Sequence, residues 1–140
     1  MAEGIHTYAL NLGAHAEGIQ TVVFGQYGHA EGFRTQAAYA AHAEGKESEA
    51  RGSTSHAEGV NTRAIGNGTH TEGYRTVSKG QGAHAEGHSA TLASDTTIAG
   101  DNTTIINAWN SNKFTLAKGT ASHAEGKDTL ALGNYSHSEG

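Results

Sequence analysis

Small and polar residues alternate along this chain in a pattern that keeps returning. His15-Ala16-Glu17-Gly18 recurs from His29, His42, His56, His70 (as HTEG), His84, His123 and His137 (as HSEG), and Met1-Ala2-Glu3-Gly4 opens the series with Met in place of His. The steps between successive units are 14, 14, 13, 14, 14, 14, 39 and 14 residues. A fixed period of this kind marks a solenoid, in which each repeat packs on its neighbours alone. Counted from the His, position 7 is Thr7, Thr21, Thr35, Ser48, Thr62, Thr76 and Thr129, and position 9 is Ala9, Val23, Ala37, Ala50, Ala64 and Ala131. Position 11 is often glycine, as in Gly25, Gly52, Gly66, Gly80 and Gly133, while positions 8 and 10 accept Glu49, Arg51, Arg63 or Lys79.

Each repeat therefore holds two segments of period two, H-A-E and T-x-A, each followed by a frequent glycine. Glycine costs a helix about 1 kcal/mol relative to alanine, so two per repeat disfavour helix. Two short strands with two tight turns fit the length. Because side chains alternate across a strand, positions 7 and 9 share one face, and 8 and 10 the other. The Thr/Ala pair is predicted to face inward and the variable pair to meet solvent. Stacked in register, ten such turns make an all-β parallel roll, a single repeat domain over residues 1–140.

The long step from His84 to His123 breaks the rule. It divides into a turn over 84–96 and a degenerate turn beginning Thr97-Ile98-Ala99-Gly100-Asp101, with about twelve surplus residues inside TTIINAWNSNKFTLAKG. Two apolar arms around Asn110-Ser111-Asn112 predict a hairpin-like insertion near residues 103–118. Ile105, Ile106, Trp109, Phe114 and Leu116 are too many apolar groups to leave in water. They are expected to clamp a neighbouring subunit or to bind a receptor.

Composition sharpens this picture. Glycine occurs twenty times, aromatics make up 6%, and there is no Pro or Cys. Ala dominates the apolar residues and buries little area, at roughly 25 cal/mol per Å², so a single roll should be marginal and gain from association. Nine of the fourteen acidic residues are motif glutamates, leaving nine Lys or Arg against five Asp or Glu elsewhere. No signal peptide or membrane-crossing run is visible, and neither a nucleic-acid nor a membrane partner is expected. The chain starts and stops within the repeat, so it is expected to be a segment of a longer fibre protein.

Ser55-His56-Ala57-Glu58-Gly59 and Ser122-His123-Ala124-Glu125-Gly126 carry a resemblance to the head repeats of trimeric autotransporter adhesins. Those repeats read S-V-A-I-G followed by a second strand of small residues. HAEG repeats also resemble those of phage tail-fibre proteins, and the likeness covers the chain outside residues 103–118. It implies a left-handed parallel β-roll, a homotrimer, and a place on an extracellular or virion surface. His and Glu stand here where the adhesin repeats have Val and Ile. By that analogy they fill the roll interior beside the Thr hydroxyls. The alternative sets them on the trimer axis and leaves Ala and Thr to form a very thin core.

Within the motif, His and Glu at i and i+2 share one strand face, so stacking makes parallel columns. The members are His15/Glu17, His29/Glu31, His42/Glu44, His56/Glu58, His70/Glu72, His84/Glu86, His123/Glu125 and His137/Glu139. The favoured reading is a structural, hydrogen-bonded ladder, since a buried Glu requires a partner. Imidazole and carboxylate are also good ligands for zinc or nickel, but groups bonded to one another are not free to ligate, and no metal or other cofactor is expected. Catalysis by a His/Glu pair needs one specialised site, and this pair is copied in nearly every turn. Glu47, Glu49, Asp95, Asp101 and Asp128, the acids outside the motif, form no convincing catalytic pair, so no enzyme is expected. Tyr27, Phe33, Arg34, Tyr74 and Arg75 could stack on sugars. The chain thus reads first as a structural fibre or stalk segment of a phage-type tail involved in surface attachment. A bacterial adhesin head and a glycan-binding module are the alternatives.

Overall fold

The computed structural model describes residues 1–140 as a roll of two parallel sheets, decorated by one helical excursion. The first sheet has nine strands, one for each motif: β1 (Ala2–Ile5), β3 (His15–Ile19), β5 (His29–Phe33), β7 (His42–Ala43), β9 (His56–Ala57), β11 (His70–Thr71), β13 (His84–Ala85), β15 (His123–Glu125) and β17 (His137–Glu139). The second has eight: β2 (Tyr8–Ala9), β4 (Val22–Val23), β6 (Gln36–Ala37), β8 (Glu49–Ala50), β10 (Arg63–Ala64), β12 (Thr76–Ser78), β14 (Thr115–Ala117) and β16 (Leu130–Ala131). The chain crosses from one sheet to the other after every strand. Like residues pair with like, as in Ala16↔Ala30, Glu17↔Glu31, His56↔His70 and His84↔His123. The short step of thirteen residues falls at the Tyr39–Ala41 corner, between Ala37↔Ala50 and His42↔His56, and does not disturb the register.

The interior is built from the smallest side chains. Ala16, Ala30, Ala43, Ala57, Ala85 and Ala124 of the first sheet face Val23, Ala37 and Ala64 of the second and Thr21, Thr35 and Thr62, each just before one of its strands, all fully buried. The predicted inward face of T-x-A is thus observed. Some of the sealed hydroxyls bond to backbone carbonyls, as Thr76 Oγ1 donates to Glu72 O at 2.8 Å and Thr35 Oγ1 to Glu31 O at 3.1 Å. At the last position of the repeat, Ser55 and Ser122 donate to Gly52 O and Gly119 O at 2.7 Å, closing the second corner.

Two features of the corners explain the glycines and qualify them. The motif glycine sits at positive φ, +104° at Gly59, and a Cβ there would lie 2.2 Å from the carbonyl oxygen of Gly73 one turn on. No other residue fits between backbones this close. One residue later but one, the chain again enters the left-handed region, now with side chains: Gln20, Arg34, Glu47, Asn61, Arg75 and Asp128 have φ of 56–58°. Such values are uncommon outside glycine, and the corner recurs in register because each of its amides bonds to the turn before, as Arg75 N does to Val60 O.

The long step is not what the sequence led us to expect. There is no degenerate tenth turn starting at Thr97, and no hairpin near 103–118. Ser89 still occupies the first corner, with its amide on Tyr74 O, and the second strand of the same turn is β14, where Thr115, Leu116 and Ala117 pair with Thr76, Val77 and Ser78. Residues 90–114 therefore leave and re-enter a single turn. They form two helices, α1 (Asp95–Ala99) and α2 (Asn102–Ser111). Ser94 caps α1 by accepting from Thr97 N at 3.1 Å, and Asp101 caps α2 by accepting from Thr104 N at 2.8 Å. These caps satisfy amides that a helix start leaves without partners, and Ile105, Ala108 and Trp109 then fall on one side of α2, three and four residues apart.

That side packs on the outer face of the second sheet. Ile98, Ile105 and Phe114 are sealed against Val77, Leu116 and Ala93, with Ile65, Trp109, Leu130 and Leu132 at the edge. Variable positions 8 and 10, expected in solvent, are covered here, while in most other turns they are at least partly exposed, Ala38 being the buried exception. The excursion is pinned to the roll by side chains of both. Lys79 Nζ donates to Ile98 O at 2.8 Å, Lys118 Nζ to Asn102 Oδ1 at 2.9 Å, and Trp109 Nε1 to Asp128 O at 2.9 Å. Arg51 and Arg63 pair with Asp95 at 3.2 and 3.1 Å. Ile105, Phe114 and Leu116 are thus satisfied within their own chain, and Leu116 is a strand residue of the roll itself. This removes the physical reason for a clamp across subunits.

Candidate functional site: the histidine–glutamate ladder

In the complete motif strands the central small residue, Ala in most and Thr71 or Ser138 in two, points inward, so His and Glu point out. The side chains of the eight complete pairs sit on the outer face of the first sheet, not in the roll interior. His56 keeps 36% and Glu58 33% of their side-chain surface exposed. The interior expectation fails because close-packed Ala and Thr leave no space between the sheets for an imidazole, and the outward face is the only one with room.

The imidazoles form a column from His15 to His137 in which neighbouring ring centroids lie 4.7–4.9 Å apart. From His42 onward the rings are parallel within 9°. Strand spacing in a sheet imposes this distance. From His15 to His123 each Nε2 points toward the Glu of its own turn but stops at 3.4–3.7 Å, as in His29–Glu31, His56–Glu58 and His84–Glu86. That is beyond a hydrogen bond. Near the C-terminal end the carboxylates also reach the next His, with His123 Nε2 at 3.6 Å from Glu86 Oε1 and His137 Nε2 at 3.7 Å from Glu125 Oε1. The hydrogen-bonded ladder predicted from the sequence is therefore an ion-pair-like ladder with its bonds unmade. The Nε2 atoms of His15, His29, His42, His56, His70, His84 and His123 are shut off from solvent and have no hydrogen-bond partner.

Beside the imidazoles runs an open groove of about 1080 Å³ lined only by motif residues: Glu44, Glu58, Glu72, Glu86, Glu125 and Glu139, with the glycines that follow the last five of them. Like charges at strand spacing cannot all remain ionised cheaply. Glu72 is pushed up to about 7, chiefly by sharing hydrogen bonds with Glu86 and Glu58, while the Glu86 carboxyl is held below its usual range as the accepting partner of Glu72. His84 is lowered by burial and by the neighbouring imidazoles of His70 and His123. Four triads bring one ligand atom from each member within 4.8 Å of the others: His42/Glu44/His56, His56/Glu58/His70, His84/Glu86/His123 and His123/Glu125/His137.

The other candidates are placed as follows. Of the apolar set in the excursion, Ile105, Phe114 and Leu116 are buried, Trp109 is half-buried beneath Lys113 Nζ at 3.3 Å from its ring centre, and Ile106 stays exposed. Phe33 and Tyr74 each carry an arginine over the ring, Arg34 at 4.9 Å and Arg75 at 4.8 Å, which occupies the face that a sugar would use. Tyr27 is open and meets Tyr39 edge-on at 6.3 Å. All five acids outside the motif are engaged: Glu47 with Arg34, Glu49 with Arg51 and Arg63, Asp95 with both of those arginines, Asp101 in a cap, and Asp128 accepting from Ala90 N. The groove itself was missed by sequence reasoning; its signal is present, since an outward Glu before a glycine in every turn requires a carboxylate row beside bare backbone. Set against known proteins, the chain matches no family model, no curated protein and no solved structure.

Proposed function

We propose that this chain is a structural segment of a trimeric fibre of phage or phage-derived type, serving surface attachment outside the cell or on a virion. In this reading three left-handed rolls stand side by side with their first sheets turned to a common axis. The observation that carries it is the ladder on the outer face of that sheet, running in register from the first complete motif to the last. A face that repeats one chemistry over the whole length of a rod offers a copy of itself the same surface at every level. The rest of the surface supports a scaffold rather than an enzyme, because the acids outside the motif hold the architecture together. A glycan-binding role is favoured by one observation only, the open Tyr27/Tyr39 pair.

Sedimentation equilibrium tests the assembly. With a chain mass of 14.4 kDa, three copies weigh about 43 kDa. A folded species of that mass at micromolar concentration is the expected result, and a folded monomer would overturn the reading.

A further inference from the structure

We infer that the ladder is a row of binding sites for zinc-class divalent ions, each ion held by the His and Glu of one turn and the His of the next. The geometry of a single pair is the first ground. Zinc binds imidazole nitrogen and carboxylate oxygen at about 2.0–2.2 Å, so two ligands at a tetrahedral angle stand about 3.4 Å apart. His123 and Glu125 stand 3.4 Å apart, and His42 and Glu44 3.5 Å. These distances are too long for a hydrogen bond and right for two corners of one coordination shell. The second ground is the state of the nitrogens. Seven Nε2 atoms are removed from water without any bond in return, which leaves their desolvation uncompensated. A cation at that point satisfies the nitrogen and the carboxylate together.

The ligand set decides the ion. Imidazole with carboxylate suits zinc, nickel or copper, whereas magnesium and calcium prefer oxygen alone. The fold also fixes the stoichiometry. The four triads fall into two pairs, one sharing His56 and the other sharing His123. A neutral imidazole offers one lone pair at Nε2, so triads that share a His exclude each other, and the chain takes two ions. The rings of a triad are nearly parallel, 4° at His42–His56 and 2° at His84–His123. Parallel lone pairs do not converge, so loading must tilt the rings toward each other. Their outer edges are open to solvent, which leaves space for that rotation. A water or a group from another subunit completes the shell. All three protein ligands come from one chain, so the sites do not depend on the trimer.

The test uses the whole chain, stripped with chelator and titrated with zinc by calorimetry, with ions counted by native mass spectrometry. Two zinc ions per chain are expected, and none with magnesium in its place. The double variant His56→Gln/His123→Gln removes the shared ligand from every triad and should lose both ions. His6→Gln, outside the ladder, should keep both. Absence of zinc uptake, equal uptake of magnesium, or full uptake by a folded double variant would overturn the inference. Should that variant fail to fold, the ring ¹⁵N spectrum of the unaltered protein decides. Nε2 resonances of His56 and His123 that move on zinc addition support the sites, and unmoved ones refute them.

Discussion

In the repeat turns, no side chain sealed between the sheets is larger than the valine of Val23, and most are Ala or Thr; in the excursion the chain buries Phe114, Ile105 and Ile98 against Leu116 and Val77. The first region gains little from burial at roughly 25 cal/mol per Å² and relies on close backbone approach, in-register amide bonding and glycine corners. The second is an ordinary apolar cluster added to the outside of the roll, over variable positions that most other turns leave at least partly exposed. The difference teaches that two kinds of stability coexist here: one tolerates no added atom, and the other no removed one.

Substitutions should separate the two. The largest effect is expected from adding a single methyl to the roll. Gly59→Ala places its Cβ against Gly73 O at φ +104°. Backbone strain of about 1–3 kcal/mol and overpacking of about 1–3 kcal/mol together give a loss of about 2–6 kcal/mol in urea unfolding. A loss below about 1 kcal/mol would mean that the turns are not locked by glycine. Next comes removal from the excursion. Ile105→Ala should cost about 2–4 kcal/mol and speed amide exchange in α1 and α2 while leaving that of the turns before Ser89 unchanged. Exchange rising equally in both regions would show that they form one cooperative unit.

Smaller effects probe the hydroxyl rows. Thr76→Val breaks the bond to Glu72 O and should destabilise by about 1 kcal/mol, whereas Thr62→Val replaces a buried Oγ1 that has no partner and should be neutral or slightly stabilising. Equal losses at both positions would show that the packing of the column, not its bonding, matters. The smallest effect concerns pH. Glu72 titrates at about 7 in the fold against an ordinary 4.5, so the folded state holds its proton more tightly than the unfolded chain does. The stability linked to that proton is fully present below pH 4.5 and is lost as pH rises through about 7. His84, lowered in the fold, works in the opposite sense: its contribution is present above its ordinary value of 6.5 and fades as pH falls. Glu72→Gln isolates the first effect. With chelator present, its melting temperature should match the unaltered protein near pH 4, exceed it increasingly from pH 4.5 to 7, and hold that lead above.

Periodicity carried most of the architecture. Position 7 and 9 side chains could be assigned to the interior because alternation on a strand leaves no other choice, and the variability of Arg63 or Glu49 marked the outer face. The orientation of His56 and Glu58 was harder to read. Their size suggested filling, while the Ala57 between them, which needs the tight interior, pointed the opposite way and was right. The excursion was misread because Ile105, Ile106 and the threonines favour strands locally. The capping signals at Ser94 and Asp101 were there in the sequence but short, and packing on Val77 and Leu116, far away in the chain, decided for helix. The left-handed corner at Gln20, Arg34 and Arg75 left no trace, since neither glycine nor asparagine marks most of its copies.

The reading of the ladder face as the surface between copies is tested most directly by single cysteines in a chain that has none. Glu58→Cys puts a thiol on the outer face of the first sheet, and Gln36→Cys puts one on the exposed outer face of the second. Under mild oxidation at micromolar concentration, Glu58→Cys is expected to yield disulfide-linked pairs of chains on a denaturing gel, while Gln36→Cys remains single. Linkage through Gln36→Cys with none through Glu58→Cys would contradict the account.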